Sequence, residues 1–144
     1  MPIHLEIVTA ERTVLSDDVD QVNAPAIAGR VGILPRHEPL LTALAPGELT
    51  IVKNGQTTPF AISGGFMEVL PDRVTILADT AERADEIDES RAEAARKRAE
   101  EGLRNRGASQ DLASAEMQLR RAVIRLQVAK LRRGNRSGGF GGNE

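Results

Sequence analysis

The pattern of apolar residues changes near Asp88, and no other feature constrains the fold as strongly. Before it, short segments such as Ile3–Val8 alternate apolar and polar side chains, which is typical of half-buried strands. After it, almost every residue as far as residue 133 is a helix former. Asp88 can also accept hydrogen bonds from the free N–H groups of a helix's first turn. The sequence therefore predicts a β domain over residues 1–84 and a helical domain over residues 85–133.

Turn residues separate the predicted strands of the first part. Asn54-Gly55 predicts a hairpin, because this pair tolerates the positive φ angles of a two-residue type I′ turn. Pro71 fixes φ in a second tight turn, over Leu70–Arg73. Many short antiparallel strands favour a sandwich or barrel. The predicted strands are Ile3–Val8, Arg12–Leu15, Val19–Ala24, Arg30–Leu34, Glu48–Lys53, Thr57–Ile62, Phe66–Leu70 and Arg73–Ala78.

The second part predicts two helices that pack as an antiparallel hairpin. Their apolar residues recur every three or four positions and form one narrow stripe on each helix. Gly107 can end the first helix, and Ser109 can cap the second. The stripes consist of Ala92, Ala95, Ala99 and Leu103 on the first helix and of Leu112, Ala115, Leu119, Ala122, Leu126 and Ala129 on the second.

Alanine dominates the first stripe and makes up half of the second, so we expect a weakly held hairpin. Burying a leucine stabilises a protein by roughly 1.5–3 kcal/mol, and burying an alanine by much less. Because the helices consist of strong helix formers, opening the hairpin need not melt them, and the segment could extend along a partner. The glycine-rich residues 134–144 that follow cannot support a core, so we predict that they are disordered.

Charge is unevenly distributed along the chain. The net charge of −2 argues against a general nucleic-acid binder, and the absence of Trp and Tyr nearly excludes a base-stacking surface. Residues 112–136, however, carry 7 basic side chains and only Glu116 as an acid, so we expect an acidic partner for this end. No stretch approaches the ~20 apolar residues of a membrane span. We therefore expect a protein that is soluble or peripheral to a membrane.

The glycine-rich loops and the loop histidine do not predict catalysis. No Gly-Lys-Ser/Thr follows the loop glycines and no helix starts there, so we interpret them as bulges or tight corners. His37 has no nucleophile or carboxylate pair near it in sequence, which argues against a general base. The glycines are Gly29, Gly32, Gly64 and Gly65.

Four arginines stand at spacings that fit a binding site for one anion. Arg91 and Arg98 are seven residues apart and share a helix face, and Arg121 and Arg125 form an i, i+4 pair. Guanidinium groups bind phosphate oxygens bidentately, so this set could face one phosphate chain. We interpret the remaining arginines of the helices, Arg96, Arg104, Arg106 and Arg120, as part of a solvated face, and Arg132, Arg133 and Arg136 as contacts to an acidic partner or as solubilising charge.

Six motifs, occurring in a fixed order, carry a resemblance to a known family. They are Gly32-Ile33-Leu34-Pro35-x-His37-x-Pro39-Leu40, Ser63-Gly64-Gly65-Phe66-x-Glu68-Val69, Val74-Thr75-Ile76-Leu77-Ala78, Ala81-Glu82-Arg83-Ala84, Ile87-Asp88-x-x-Arg91-Ala92 and Arg121-Ala122-x-x-Arg125-Leu126. From about Ile3 to Lys130 the chain resembles the epsilon subunit of F-type ATP synthase. It departs from the family at Arg36, where glycine is usual.

The resemblance implies a ten-stranded β-sandwich followed by a two-helix C-terminal domain. The sandwich would dock on the gamma subunit of the rotor stalk and on the membrane c-ring, coupling rotation to ATP synthesis. The helices would move between a folded hairpin and an extended form that reaches the alpha/beta catalytic head, meets an acidic segment of the beta subunit and blocks ATP hydrolysis. The subunit would be non-catalytic and peripheral, on the cytoplasmic side of a bacterial plasma membrane.

A subset of bacterial family members binds ATP as a regulatory ligand in the folded form, with an Ile-Asp-x-x-Arg-Ala motif as its hallmark. Either the carboxylates of Glu82 and Asp88 or nearby backbone groups could form hydrogen bonds to adenine. Bound ATP would then stabilise the whole binding pocket in the folded form. The resemblance implies an ATP site made of Glu82, Ile87, Asp88, Arg91, Ala92, Arg98, Arg121 and Arg125.

Two alternatives stand beside an ATP-sensing subunit. One is a purely structural coupling subunit in which ATP has no regulatory part. The other is a small nucleotide hydrolase, for which the sequence lacks a phosphate loop, a metal-binding carboxylate cluster and an identifiable base. Binding of ATP without turnover would separate the first interpretation from both alternatives.

Overall fold

The structure, a computed structural model, describes residues 2–104 and 112–141. The side chains of Arg104, Leu112 and residues 132–141 lie outside this description. The chain divides into two compact units, Met1–Arg83 and Ala84–Glu144. Their boundary lies one residue from the position expected from the change of pattern.

The first unit is one sheet of ten strands, which confirms the number of strands implied by the family resemblance. The strands are β1 Ile3–Val8, β2 Thr13–Val19, β3 Gln21–Ala26, β4 Gly29–Ile33, β5 Leu40–Leu44, β6 Gly47–Lys53, β7 Gln56–Ile62, β8 Gly65–Leu70, β9 Arg73–Ala78 and β10 Ala81–Arg83. Hydrogen-bonded neighbours follow the order β10-β7-β6-β3-β5-β8-β9-β1-β2, and β4 pairs with β3. β1 and β9 are parallel, whereas the other paired strands are antiparallel.

Alternate side chains of these strands form one apolar core. In β1, Ile3, Leu5 and Ile7 are buried while the residues between them are not. The core continues through the other strands, and Phe60 of β7 is its largest fully buried side chain. This period of two is the signal from which the sequence predicted most of the strands.

Two strands escaped the sequence pattern, and the predicted boundary between β2 and β3 was wrong because β2 continues beyond Leu15 to Val19. β5 buries only Leu44, so it shows no alternation, and β10 has three residues, too few for a period to appear. The predicted strand Val19–Ala24 is divided at Asp20, because Val19 ends β2 and β3 begins one residue beyond Asp20.

The β6–β7 hairpin confirms the prediction made from Asn54-Gly55. Asn54 has a φ of 52° and Gly55 a φ of 76°, and Lys53 pairs with Gln56 across the turn. Positive φ at both central positions is the signature of a type I′ turn, whose twist matches that of the flanking strands. The tight turn at Pro71 is also present, since Leu70 of β8 pairs with Arg73 of β9.

The second unit begins with a 3₁₀ turn, Ala84–Glu86, and continues with helices α1, Glu89–Arg104, and α2, Leu112–Gly141. Residues 134–141, which the sequence predicted to be disordered, continue α2. The prediction relied on the low helix propensity of glycine, whereas a residue added to an existing helix gains a hydrogen bond without a new nucleation step. Gly107 and Ser109, the predicted helix ends, lie outside the described residues.

No helix in residues 2–104 and 112–141 is both long and apolar enough to cross a membrane.

Candidate functional site

The side chain of Asp88 fixes the start of α1. Its Oδ1 atom accepts a hydrogen bond from the backbone N–H of Arg91 at 3.2 Å, and its backbone carbonyl accepts one from the N–H of Ala92 at 3.0 Å. This is the arrangement of an N-cap residue, which satisfies donors that the first helical turn leaves free. Asp88 is therefore a structural residue of this helix, whatever else it binds.

Apart from the half-buried Ala95, the alanines of the predicted stripes are buried in the helical unit. Ala92 and Ala99 of α1 and Ala122 of α2 are each less than a tenth exposed. Small side chains bury little apolar area, so these positions add little to the stability of the hairpin. Ile124 and Val128 of α2 are buried as well, although the predicted stripe omitted them. The apolar face of α2 is therefore wider than predicted.

Between the two helices lies a cleft of about 400 Å³. Three of the four predicted arginines line it, Arg98 from α1 and Arg121 and Arg125 from α2. The Nε atom of Arg98 donates to the carbonyl oxygen of Ala94 at 3.4 Å. Three guanidinium groups around one cleft form an electropositive site suited to an anion with several oxygens. Its lining residues are Ala95, Arg98, Gln118, Arg121, Ala122 and Arg125.

The other predicted site residues do not line this cleft. Arg91 is exposed near the start of α1, whereas Ile87 is only 3% exposed. Ala92 is fully buried, and the carboxylate of Asp88 holds the helix start. Glu82 belongs to β10, in the first unit. The structure therefore brings together the predicted phosphate-binding arginines apart from Arg91.

Arg96 is held by two carboxylates of its own helix. Its guanidinium bonds to Glu93 and, at 2.6 Å, to Glu100. The hydrogen bond from Arg96, aided by the charges of Lys97 and Lys130, keeps the pKa of Glu93 below its usual range against the effect of desolvation. These pairs occupy Arg96 outside the cleft.

Gln118 is a cleft residue that the sequence reasoning missed. It precedes Arg121 by three residues and Arg125 by seven, which is the spacing of one helix face. That spacing was the available signal, but glutamine carries no charge that would mark it as part of an anion site. Among the described residues, no group of three or more His, Cys, Asp or Glu side chains could hold a metal ion.

Both parts of the chain match known protein families. The family described as ATP synthase, Delta/Epsilon chain, beta-sandwich domain matches residues 2–84, and its long alpha-helix domain matches residues 85–130. The ATP synthase epsilon chain of Herpetosiphon aurantiacus is 74% identical over 133 residues, which cover 92% of this chain and 98% of that one. The ATP synthase epsilon chain of Chloroflexus aggregans is 66% identical over 131 residues, 91% of this chain and 94% of that one.

Solved structures share the fold. A chain of the Euglena gracilis mitochondrial ATP synthase, OSCP/F1/c-ring in rotational state 1, superposes with a TM-score of 0.69 at 27% identity, over 83% of this chain and 76% of that one. A chain of the Tetrahymena thermophila mitochondrial ATP synthase central stalk/c-ring superposes with a TM-score of 0.57 at 16% identity, over 90% of this chain and 97% of that one. At 16% identity, the similarity to the Tetrahymena chain shows a shared fold only.

Proposed function

Since this chain belongs to the delta/epsilon chain family of ATP synthases, as an epsilon chain, we propose that it is a non-catalytic subunit of the rotor's central stalk. In this role it couples proton-driven rotation to ATP synthesis and stays peripheral, on the cytoplasmic side of a bacterial plasma membrane. Its helical hairpin binds ATP when folded and restrains ATP hydrolysis when extended. The observation that carries ATP binding is the convergence of Arg98, Arg121 and Arg125 on one cleft.

The cleft suits a polyphosphate for two physical reasons. Its arginines come from both helices, so a bound phosphate chain would draw α1 and α2 together. Each guanidinium can donate two parallel hydrogen bonds to a phosphate group, and the charge of three guanidinium groups offsets much of the charge of a triphosphate. The small side chains of Ala95 and Ala122, which line the cleft, leave room for the ligand between the helices. The adenine would lie towards the start of α1, near Ile87, Asp88 and Ala92.

ATP can shift the hairpin because α1 contributes mainly small side chains to the contact between the helices. A ligand that binds only the folded form stabilises it in proportion to the logarithm of ligand concentration over its Kd. α2 buries Ile124 and Val128, but the buried side chains of α1 are the alanines Ala92 and Ala99, so α1 contributes little apolar area and the closed form opens at a modest cost when ATP is absent. The released α2, whose basic residues include Arg120 and Lys130, would then contact an acidic segment of the beta subunit in the alpha/beta head.

Exposed apolar side chains of the sheet supply a surface for the rotor. Phe66 pairs with Leu77 of β9 and with Ala43 of β5, so these three form one row across neighbouring strands. Phe66 is 58% exposed and Leu77 is 56% exposed, and the exposed Leu41 lies beside the row, two residues before Ala43 on the same face of β5. Large apolar groups gathered at a surface mark contact with another protein. We assign this row to docking on the gamma subunit and the c-ring.

The rotor contact is tested by pull-down of this chain with a gamma–c-ring complex. Phe66→Glu should abolish co-purification, because it places a charge in the centre of the apolar row. Met117→Glu, at an exposed residue of α2, should leave co-purification unchanged. Equal retention of both variants would exclude the Phe66 row as the docking surface.

The ATP site is tested by calorimetric titration of the isolated full chain, which has no Trp or Tyr to report binding. Saturable ATP binding should be lost or strongly weakened in Arg121→Ala and in Arg125→Ala. Arg120→Ala is the matched control, since Arg120 is exposed and adjacent to Arg121 but does not line the cleft. Binding should survive in that variant. Arg91→Ala would then show whether the site extends beyond the cleft to the start of α1.

Two outcomes separate this function from the alternatives. If the native chain binds no ATP at millimolar concentration, ATP sensing fails and a structural coupling subunit remains. If ATP binds and phosphate is released by the isolated chain, the subunit is a hydrolase and the non-catalytic assignment fails. Binding without phosphate release is the result that we expect.

A further inference from the structure

Gln118 lines the cleft beside Arg121 and Arg125, the two arginines that α2 contributes. Gln118, Arg121 and Arg125 occupy one face of α2, and at 1.5 Å of rise per residue they span ~10 Å along the helix axis. Gln118 lies three residues closer to the start of α2 than Arg121. Its side chain is exposed and lines the cleft, and within the described residues its amide makes no hydrogen bond. The amide is therefore available to a ligand.

The direction of the helices decides which part of a ligand reaches Gln118. Seven residues separate the end of α1 at Arg104 from the start of α2 at Leu112, and neighbouring helices joined by so short a connection pack antiparallel. Antiparallel packing then places Gln118, early in α2, towards the later part of α1 and away from Asp88. With the base near the start of α1, as proposed above, the phosphate chain would point along the cleft towards Gln118.

We propose that the side-chain amide of Gln118 donates a hydrogen bond to the terminal phosphate of a bound nucleoside triphosphate and so makes the site prefer a triphosphate over a diphosphate. This inference rests on the ATP binding proposed above. The amide has two N–H donors and no charge, so it can recognise an additional phosphate group without raising the positive charge of the empty cleft. A diphosphate held by the same arginines would end short of this amide.

The test compares the affinities of the full chain for ATP and ADP by calorimetry. Gln118→Ala should weaken ATP binding about tenfold, the typical loss of one hydrogen bond to a charged group at a partly exposed site. ADP binding should change little in the same variant. Gln118→Glu should reduce the preference for ATP further, because its carboxylate repels the terminal phosphate. Both substitutions place strong helix formers in α2, so the fold should persist.

Gln127→Ala is the matched control. Gln127 is an exposed residue of the same helix that does not line the cleft, so the ratio of ATP to ADP affinity should equal that of the native chain. An unchanged ratio in Gln118→Ala, or an equal loss for both nucleotides, overturns the role of Gln118 while ATP binding stands. Absence of ATP binding in the native chain overturns both proposals.

Discussion

Gly65 of β8 and Leu77 of β9 approach so closely that a Cβ atom on Gly65 would lie 2.0 Å from the carbonyl oxygen of Leu77. The same Cβ would lie 2.8 Å from the Cα atom of Ala78, which is the partner of Gly65 in the sheet. Gly65 also has a φ of +139°, which side chains rarely allow. The Gly64-Gly65 pair is thus a close backbone approach, in agreement with its interpretation as a tight corner.

We expect Gly65→Ala to destabilise the first unit by about 3–5 kcal/mol, because it adds overpacking to backbone strain. Denaturant unfolding followed by circular dichroism measures this loss. Gly29→Ala is the control, since Gly29 has a similar φ of +133° but no atom within 4 Å of a built Cβ. That variant should lose only the strain component, about 1–3 kcal/mol. Equal losses in the two variants would show that the contact with Leu77 is not decisive.

The sequence predicted best where a local rule determined the structure. The type I′ turn at Asn54 follows from turn chemistry, and the N-cap at Asp88 follows from the start of a helical pattern. β5 was missed because only Leu44 faces the core. Gln118 was missed because a neutral side chain becomes part of an anion site only through its position beside arginines of both helices. Such information depends on tertiary packing and not on local sequence.

Arg36 has a φ of 65°, so it occupies a backbone conformation that favours glycine, at the position where the resemblance led us to expect glycine. We expect Arg36→Gly to stabilise the first unit by up to about 1 kcal/mol, because relief of the left-handed strain exceeds the added entropy of the unfolded chain. The backbone N–H of residue 36 would keep its hydrogen bond to the carbonyl of Pro71, 2.8 Å in the native chain. Chemical denaturation measures the change.

Asn54→Gly provides the comparison for Arg36→Gly. Asn54 has a φ of 52°, but asparagine tolerates this region, so the substitution should bring little or no gain. A loss of stability in Arg36→Gly would mean that the arginine side chain makes a favourable contribution larger than the strain.

Removal of the Asp88 cap should weaken the helical unit. Asp88→Ala leaves the N–H of Arg91 without its side-chain acceptor and should cost about 1 kcal/mol. Asp88→Asn keeps an acceptor oxygen and should retain most of the stability, because asparagine caps helices about as well as aspartate. Thermal unfolding of the helices by circular dichroism compares the two. Equal destabilisation by both substitutions would assign the effect to the charge of Asp88 rather than to its hydrogen bond.

His4 makes the stability of the first unit depend on pH. Its Nδ1 atom lies 2.9 Å from Oδ1 of Asp18, and its Nε2 atom lies 3.4 Å from Glu6 and 3.5 Å from the hydroxyl of Ser16. The hydrogen bond with Asp18, followed by that with Glu6, raises the pKa of His4 above its usual value of 6.5 in spite of some desolvation. The protonated ring is thus favoured in the folded chain.

Because the pKa of His4 is higher in the folded chain than in the unfolded chain, its contribution to stability decreases as pH rises. The stabilisation by His4 is fully present below pH 6.5, the unfolded value, and is lost as pH rises through the folded pKa. The unfolding free energy of the native chain, relative to that of His4→Gln, should therefore fall over this interval and be constant above it. In Asp18→Asn, an NMR titration of the His4 ring should show a pKa closer to 6.5. If instead the native ring titrates at or below 6.5, the carboxylates do not stabilise the imidazolium and the difference between the native chain and His4→Gln should not fall with rising pH.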